Sequence, residues 1–243
     1  ITDLAAWCNA KFNGSSPLSY ARNLYLNGEL VTALEIPEGV TAIGESAFRG
    51  YTGLTSVTIP SSVTTIGESA FSYCTGLTNV TIPSSVTTIG VSAFFGCYKL
   101  LKVWNESSLS ITKGSTDNGY IGYYALQIYT PNDEESKFVQ QNDFIFYIDG
   151  NAVYLIEYVG TGTSLVLPSG IDGKTYSIYK YAFDNRSDLT SVIIPEGVTA
   201  IGDYAFRGCT GLMGVTIPEG VTTIGRYTFF GCTGLTSVTI SEG

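Results

Sequence analysis

Apolar residues recur along this chain with a period of 23 residues, set among threonines, serines and glycines. The motif Leu-Thr-x-Val-Thr-Ile-Pro, or a close variant, opens each period, at residues 54–60, 77–83, 189–195 and 212–218. Each copy continues with Val-Thr-x-Ile-Gly, and residues 31–53 form a further copy. A 23-residue unit is too short to enclose its own core, so neighbouring units must stack and share one.

The positions that stay apolar from copy to copy predict which side chains face this shared core. Val57, Thr58 and Ile59 alternate between apolar and polar, which is typical of a β-strand with one buried face. Stacked copies then place these strands side by side in a parallel sheet, about 4.8 Å apart. The sequence therefore predicts a mainly β solenoid. Its inward positions in one copy are Leu54, Val57, Ile59, Val63, Ile66, Ala70, Phe71 and Cys74.

The links between the strands are also predicted. Proline cannot donate a backbone hydrogen bond, so we expect Pro60 to end the first strand of the unit. Gly67 follows a second extended piece and suits a turn that needs a positive φ angle. Residues 69–71 are expected to form a tight helical turn whose Phe71 fills the core.

The repeat is interrupted near the middle of the chain. Asn105 occupies the slot that corresponds to Ile59, and the pattern returns only at residues 165–168. Within the interruption, Asp149-Gly150 separates two apolar runs, which is a strong signal for a β-hairpin. We therefore expect an irregular, hairpin-containing insertion over residues 104–161.

The N-terminal stretch, residues 1–30, is irregular as well. Residues 4–8 predict a helical turn, and Asn27-Gly28 predicts another hairpin. The last copy stops at Gly243, so we expect a fragment that is cut in mid-repeat at its C-terminus and truncated at its N-terminus. The predicted segments are a degenerate repeat (1–30), a first array (31–103), the insertion (104–161) and a second array (162–243).

The charge balance and the absence of histidine exclude several functional classes. Lys and Arg total 12 against 21 Asp and Glu, a formal net charge of −9, whereas nucleic acid and anionic lipid attract a basic surface. No apolar run approaches the roughly 18–20 residues of a membrane-spanning helix. Without histidine, Ser-His-Asp and Cys-His catalysis are excluded. We expect no enzymatic activity, no cofactor, no metal, no nucleic-acid partner and no membrane insertion of this fragment.

The cysteines and one acidic run invite metal or disulfide interpretations that we judge weaker than structural ones. Cys74 and Cys97 are 23 residues apart, as are Cys209 and Cys232, so each pair occupies one core slot in successive coils. Buried free thiols explain this spacing better than a disulfide or a zinc ribbon, although Cys8 has no counterpart and could still form an odd disulfide. The run Asp133-Glu134-Glu135 lacks the alternation and the glycine of a calcium loop, so a solvated turn is favoured.

The Ile-Pro, Ile-Gly, Ala-Phe and Cys landmarks, recurring together at constant spacing, resemble the BspA-like class of leucine-rich repeats. The resemblance covers residues 31–99 and 162–243. That class occurs in large bacterial surface proteins and in some protist surface families. The resemblance implies a right-handed leucine-rich-repeat solenoid, an extracellular location at the cell surface, and a role in adhesion or protein binding.

A monomeric module that binds an extracellular protein or glycan is therefore the favoured function, and a passive spacer within a larger surface protein is the alternative. Outward strand positions are small and mostly polar, whereas aromatic residues concentrate in the predicted insertion. Tyrosine and tryptophan dominate binding hot spots. The insertion could instead seal the core with these aromatic residues. The candidate ligand-binding residues are Thr58, Thr81, Trp104, Tyr120 and Tyr123.

Overall fold

The computed structural model describes residues 1–12, 15–131, 133 and 137–241. The chain divides into two compact units, Ile1–Glu134 and Glu135–Gly243. Each unit has its own sheets and its own hydrophobic core. The division falls inside the predicted insertion, residues 104–161, and the four-segment organisation stays a prediction.

The N-terminal unit begins with two short helices and continues with stacked β-coils. The helices are α1 (Leu4–Asn9) and α2 (Leu18–Ala21), and a single 3-10 turn covers Asn118–Tyr120. The strands are β1 (Tyr25–Leu26), β2 (Glu29–Leu30), β3 (Ala33–Glu35), β4 (Ala42–Ile43), β5 (Ser56–Thr58), β6 (Thr65–Ile66), β7 (Asn79–Ile82), β8 (Thr88–Ile89), β9 (Lys102–Asn105) and β10 (Gln127–Tyr129). Strands β1 and β2 form the predicted hairpin at Asn27-Gly28, and α1 is the predicted helical turn.

Two parallel sheets run through this unit. The first has the strand order β3-β5-β7-β9-β10 and the second has the order β4-β6-β8. Val57 pairs with Val80, and Val80 pairs with Val103, so equivalent apolar residues form one inward row across the first sheet. All eight predicted inward side chains of the copy that begins at Leu54 are buried, while Thr58 is exposed. The predicted inside–outside pattern and the mainly β solenoid with parallel sheets are confirmed.

The first sheet continues beyond residue 103, where Asn105 replaces an apolar residue. Strand β9 pairs in parallel with β7, and β10 pairs in parallel with β9. The side chain of Asn105 lies half-buried at the end of β9, where its Nδ2 donates to the carbonyl of Leu109 (2.9 Å) and its Oδ1 accepts from the Ser107 hydroxyl (2.6 Å). These bonds satisfy a polar residue in a slot that is otherwise apolar.

The expectation of a positive φ angle at Gly67 is wrong, because its φ lies outside the left-handed region. Glycine is needed there for a different reason. A Cβ on Gly67 would lie 2.8 Å from both the backbone N of Glu45 and the backbone O of Ile43 in the preceding coil. The residue therefore permits close approach of two backbones.

The expected helical turn over residues 69–71 is also wrong. Ser69 and Tyr73 have left-handed φ angles of 54° and 60°, which breaks any helical run. The amide N–H groups of Ser69, Phe71 and Tyr73 instead donate to carbonyls of the next coil, at 2.7–3.0 Å. This segment is a run of tight turns that joins neighbouring coils, and Phe71 fills the core as predicted.

The C-terminal unit combines an antiparallel hairpin with parallel coils. Its strands are β11 (Phe138–Gln141), β12 (Phe144–Asp149), β13 (Ala152–Tyr158), β14 (Ser164–Val166), β15 (Tyr176–Ile178), β16 (Ser191–Ile193), β17 (Val198–Ile201), β18 (Gly214–Ile217), β19 (Thr223–Ile224) and β20 (Ser237–Ile240). Strands β12 and β13 form the predicted hairpin around Asp149-Gly150. One sheet has the order β11-β12-β13-β15-β17-β19, parallel from β13 onward, and the other has the order β14-β16-β18-β20.

Aromatic stacks and thiols organise both cores. Phe71 stacks on Phe48 and on Phe94, each with ring centroids 5.4 Å apart, and Phe183 stacks on Phe206 at 4.9 Å. The thiol Sγ of each repeat cysteine lies within hydrogen-bonding distance of the carbonyl of the core phenylalanine in the preceding coil. These contacts are Cys74 to Phe48, Cys97 to Phe71, Cys209 to Phe183 and Cys232 to Phe206, at 3.0–3.2 Å.

Candidate functional site

Three of the five predicted binding residues lie along one row of the first sheet in the N-terminal unit. Thr58 pairs with Glu35 on β3, and Thr81 pairs with Trp104 on β9. Thr58 is exposed, and Thr81 and Trp104 are half-buried. The row is the outward face of the sheet, as the alternation predicts.

Trp104 is packed as well as presented to solvent. Its ring stacks on Tyr129, the paired residue of β10, with centroids 4.2 Å apart and the ring planes at 17°. Tyr129 itself is buried. Trp104 and Tyr129, two aromatic residues of the predicted insertion, therefore pack on each other at the end of the sheet. A packing role of this kind is what the alternative interpretation, in which the insertion seals the core, gives to the aromatic residues.

Tyr120 and Tyr123 lie in another segment of the coil. They belong to the turns after the second sheet, where the amide N–H of Phe94 donates to the carbonyl of Gly119 (2.7 Å). Tyr120 meets Phe95 edge-to-face at 5.2 Å and Tyr123 at 5.6 Å. The structure thus places the predicted residues in two groups, Thr58, Thr81 and Trp104 on the sheet, and the two tyrosines on the turns.

The turn segments carry a continuous row of aromatic rings, of which only Tyr120 and Tyr123 were predicted from the sequence as binding residues. Tyr73 meets Phe95 edge-to-face at 5.3 Å, so four rings follow one another across successive coils. Tyr73 is 38% exposed, Tyr123 is 44% exposed, and the two rings between them are half-buried. We refer to Tyr73, Phe95, Tyr120 and Tyr123 as the aromatic strip.

Local backbone geometry positions the rings of the aromatic strip. Tyr73 and Tyr120 both have positive φ angles, 60° and 69°, in the turn segments. Gly96 makes room for the first ring, since a Cβ there would lie 2.7 Å from Cδ1 of Tyr73. Tyr124 supports the other end, where its ring meets that of Tyr123 edge-to-face with centroids 4.9 Å apart. The Tyr124 hydroxyl in turn accepts a hydrogen bond from the amide of Gly96 (3.2 Å). The detectable signal for Tyr73 was its outward position, two residues after the core Phe71.

Threonine hydroxyls on the coil surface are engaged within the protein. Oγ1 of Thr55 donates to the carbonyl of Thr32 (3.0 Å), and Oγ1 of Thr78 donates to the carbonyl of Thr55 (3.2 Å). A second ladder runs from Thr87 through Thr64 to Thr41. These side chains join coils and leave less hydrogen-bonding capacity for a partner.

The cysteines and the acidic residues were considered as candidate reactive or metal-binding groups in the sequence, and the structure describes all five cysteines and part of the acidic run. All five cysteines are free, and burial raises the pKa of the thiols of Cys74 and Cys97, which disfavours the reactive thiolate. Among the described residues, no group of three or more Cys, Asp or Glu side chains is placed to hold a metal ion. Glu134 and Glu135 of the acidic run lie outside the described residues. In the described part of the chain, no helix is long and apolar enough to cross a membrane.

Comparison with known proteins identifies the repeat. A family model described as a BspA type leucine-rich repeat region matches in 6 copies, over residues 21–124 and 171–243. These ranges cover more than half of the chain. No curated protein matches the sequence.

Solved structures of bacterial leucine-rich repeat proteins are similar to this chain at low identity. One is a leucine-rich cell surface protein from Faecalibacterium prausnitzii, with 25% identity, a TM-score of 0.31, and coverage of 88% of this chain and 60% of that chain. A leucine-rich repeat protein from Eubacterium ventriosum has 23% identity, a TM-score of 0.46, and coverage of 96% and 65%. The pneumococcal vaccine antigen PcpA has 21% identity, a TM-score of 0.40, and coverage of 89% and 52%. The chain spans less than two thirds of each of these three proteins.

Proposed function

Because the chain belongs to the BspA-type leucine-rich repeat family, we propose that it is a binding module of an extracellular surface protein. Its partner is an extracellular protein or a glycan, and the module acts as a scaffold without catalysis. The net charge of −9 favours a neutral or basic partner over nucleic acid. The repeat supplies the scaffold, and the binding chemistry comes from residues that depart from it.

The aromatic strip is the observation that carries this proposal. Single exposed aromatic residues are common on protein surfaces, whereas a contiguous row of partly exposed rings is typical of a contact surface. Each ring of the strip is held by an edge-to-face contact with its neighbour, so little side-chain freedom remains to be lost on binding. Tyrosine also offers a hydroxyl to a polar partner while its ring is covered.

Within the strip we assign the main contact to Tyr120 and Tyr123. The row of Thr58, Thr81 and Trp104 is a second candidate surface. Trp104 is the residue of that row with enough apolar area to anchor a partner, but its ring is already stacked on Tyr129. Tyr73 and Tyr123 of the strip are 38% and 44% exposed, whereas Trp104 is half-buried.

The test is a binding array of glycans and matrix proteins, probed with the whole chain and with two double variants. Tyr120→Ala with Tyr123→Ala removes half of the strip, and Thr58→Ala with Thr81→Ala changes the strand row by a similar number of side chains. We expect the tyrosine variant to lose about 2 kcal/mol or more of binding free energy. The threonine variant should bind as the unchanged protein does.

Both variants must melt as the unchanged protein does before binding is compared. Equal affinity of the tyrosine variant would remove the strip from the site, and loss of binding in the threonine variant alone would move the site to the sheet.

A passive spacer is the second candidate function. The specific observation in its favour is the use of threonine hydroxyls as links between coils, as at Thr55 and Thr78. A face whose polar groups are engaged internally suits a structural element better than a recognition surface. If no component of the array binds and the protein is a stable monomer, the spacer function is favoured.

A further inference from the structure

A cavity of about 310 Å³ opens on the hairpin-containing sheet of the C-terminal unit. Its floor includes an outward row across parallel strands, in which Tyr154 pairs with Ser177, Ser177 with Ala200, and Ala200 with Thr223. Small-molecule sites range from about 300 to 1,000 Å³, so this cavity suits a ligand of about one ring.

Beside this row, the lining of the cavity includes two glycines. Gly202 and Gly225 follow strands β17 and β19 in the slot that Gly67 occupies in the N-terminal unit. A Cβ on Gly202 would lie 2.6 Å from the backbone N of Lys180, and one on Gly225 would collide with the backbone of the preceding coil. Glycine is therefore required for the stacking of the coils, and neither position carries a side chain that could occupy the cavity. We refer to Ala200, Gly202, Thr223 and Gly225 as the glycine shelf.

Tyr179 stands in the same slot one coil earlier, where a side chain is tolerated. Its preceding neighbour is the hairpin strand β13, and its amide N–H donates to the carbonyl of Leu155 (2.8 Å). Its ring meets that of Tyr154 edge-to-face, with centroids 5.4 Å apart, and both residues are half-buried. The two rings form an aromatic wall at one end of the glycine shelf. Burial raises the pKa of the Tyr179 hydroxyl above its ordinary value.

Hydrogen-bond donors and acceptors complete the lining of the cavity. Nζ of Lys180 lies 5.5 Å from the ring centroid of Tyr179, and Asp203 lies one coil further along. The carboxylate of Asp203 is exposed, and its Oδ1 accepts a hydrogen bond from the amide of Arg226 (2.6 Å). Ser177 and Thr223 add hydroxyl groups. Hydrogen-bond donors and acceptors thus surround the glycine shelf and the aromatic wall.

A pyranose ring matches each of these features. Its C–H face is apolar and packs against an aromatic ring, while its hydroxyls both donate and accept hydrogen bonds, as an ammonium, a carboxylate and side-chain hydroxyls require. The chair-shaped ring can also approach the two glycine positions closely, because no side chain stands there. A strongly anionic ligand would face Asp203 and a chain of net charge −9.

We propose that the glycine shelf and its aromatic wall form a carbohydrate site that takes one neutral pyranose residue of a glycan. This site goes beyond the proposed function, because it lies on the C-terminal unit and does not involve the aromatic strip. A test of this carbohydrate site does not depend on whether a partner binds at Tyr120 and Tyr123.

The experiment is saturation-transfer-difference NMR on the whole chain, with the methyl pyranosides of glucose, galactose, mannose and N-acetylglucosamine. Ala200→Leu fills the glycine shelf without removing any side chain from it, and Asp203→Asn, beside the shelf, removes the charge of an exposed acceptor. We call these two the shelf variants. Glu219→Gln, at an exposed carboxylate of the same unit that does not line the cavity, is the control. We expect at least one pyranoside to bind, with affinity lowered about tenfold in each shelf variant and unchanged in the control.

The proposal is overturned if no pyranoside binds, or if a pyranoside binds equally well to the unchanged protein and to both shelf variants. Should Ala200→Leu fail to melt normally, Asp203→Asn decides alone.

Discussion

Replacement of Phe71 by alanine tests the stacked core most directly. Phe71 is fully buried and contacts Phe48 on one side and Phe94 on the other, at 5.4 Å in both cases. Truncation of a buried phenylalanine costs about 3–5 kcal/mol. Each aromatic pair contributes about 0.5–1.5 kcal/mol beyond burial, and this variant loses two pairs. We therefore expect a loss of about 5 kcal/mol, at the upper end of the range.

The matched control is Thr58→Ala, on the exposed side of the neighbouring strand in the same coil. An exposed substitution without a special backbone role changes stability by less than about 0.5 kcal/mol. Urea denaturation followed by far-UV circular dichroism measures both variants against the unchanged protein. Comparable losses for Phe71→Ala and Thr58→Ala would show that the inside–outside assignment of the coil is incorrect.

Further measurements address the thiols, the glycine slot and a buried ion pair. Burial raises the pKa of the Cys209 thiol from 9.0 to about 12, so the neutral thiol is favoured in the folded state. Its contribution to the free energy of unfolding is therefore complete below pH 9 and is lost as the pH rises towards 12. The free energy of unfolding should accordingly fall less steeply with pH in Cys209→Ala. Gly67→Ala places a Cβ against the backbone of the preceding coil and should cost about 1–3 kcal/mol in urea denaturation, whereas no loss would refute the close approach. Arg207→Ala removes the 2.7 Å ion-pair partner of the buried carboxylate of Asp184 and should cost about 3–5 kcal/mol. Arg186→Ala removes the ion-pair partner of Asp188, whose carboxylate is exposed, and should cost at most about 1 kcal/mol. Equal losses for the two arginines would argue against burial as the cause.

The repeat made the core predictable from sequence. Each inward position, such as Val57 or Phe71, appears in several copies, so a chance apolar residue in one copy does not mislead. The requirement for glycine at position 67 was also visible, but its cause was not. A positive φ angle and a close backbone approach both demand the absence of a Cβ, and sequence alone does not distinguish them.

The turn segments were harder to predict. Ser69 and Tyr73 adopt left-handed φ angles, which residues with a Cβ rarely do, so the pattern suggested a helical turn. The continuation of the first sheet through β9 was hidden by Asn105, whose polar side chain is satisfied locally by Ser107 and Leu109. In both places, contacts between coils outweighed local preference.

The aromatic strip contains contacts that a comparison of equivalent positions between repeats does not predict. Equivalent positions lie 23 residues apart, but Tyr73 contacts Phe95, which is 22 residues further along the chain. The contact is therefore diagonal, between positions that are not equivalent. Tyr120 and Tyr123 could be selected because they stand in an aromatic-rich stretch, whereas Tyr73 stood alone within a regular copy.

The thiol contacts between coils bear on how such a chain changes over generations. Cys97 reaches the carbonyl of Phe71, so the contact crosses the joint between two coils and does not close either coil by itself. Gain or loss of one whole 23-residue copy adds or removes one joint of the same kind. Unequal recombination between copies of the repeat can therefore alter the number of coils without leaving a buried thiol that lacks its contact. A lineage is free to vary the length of the array in single-coil steps, while the chemistry of every remaining joint is inherited intact.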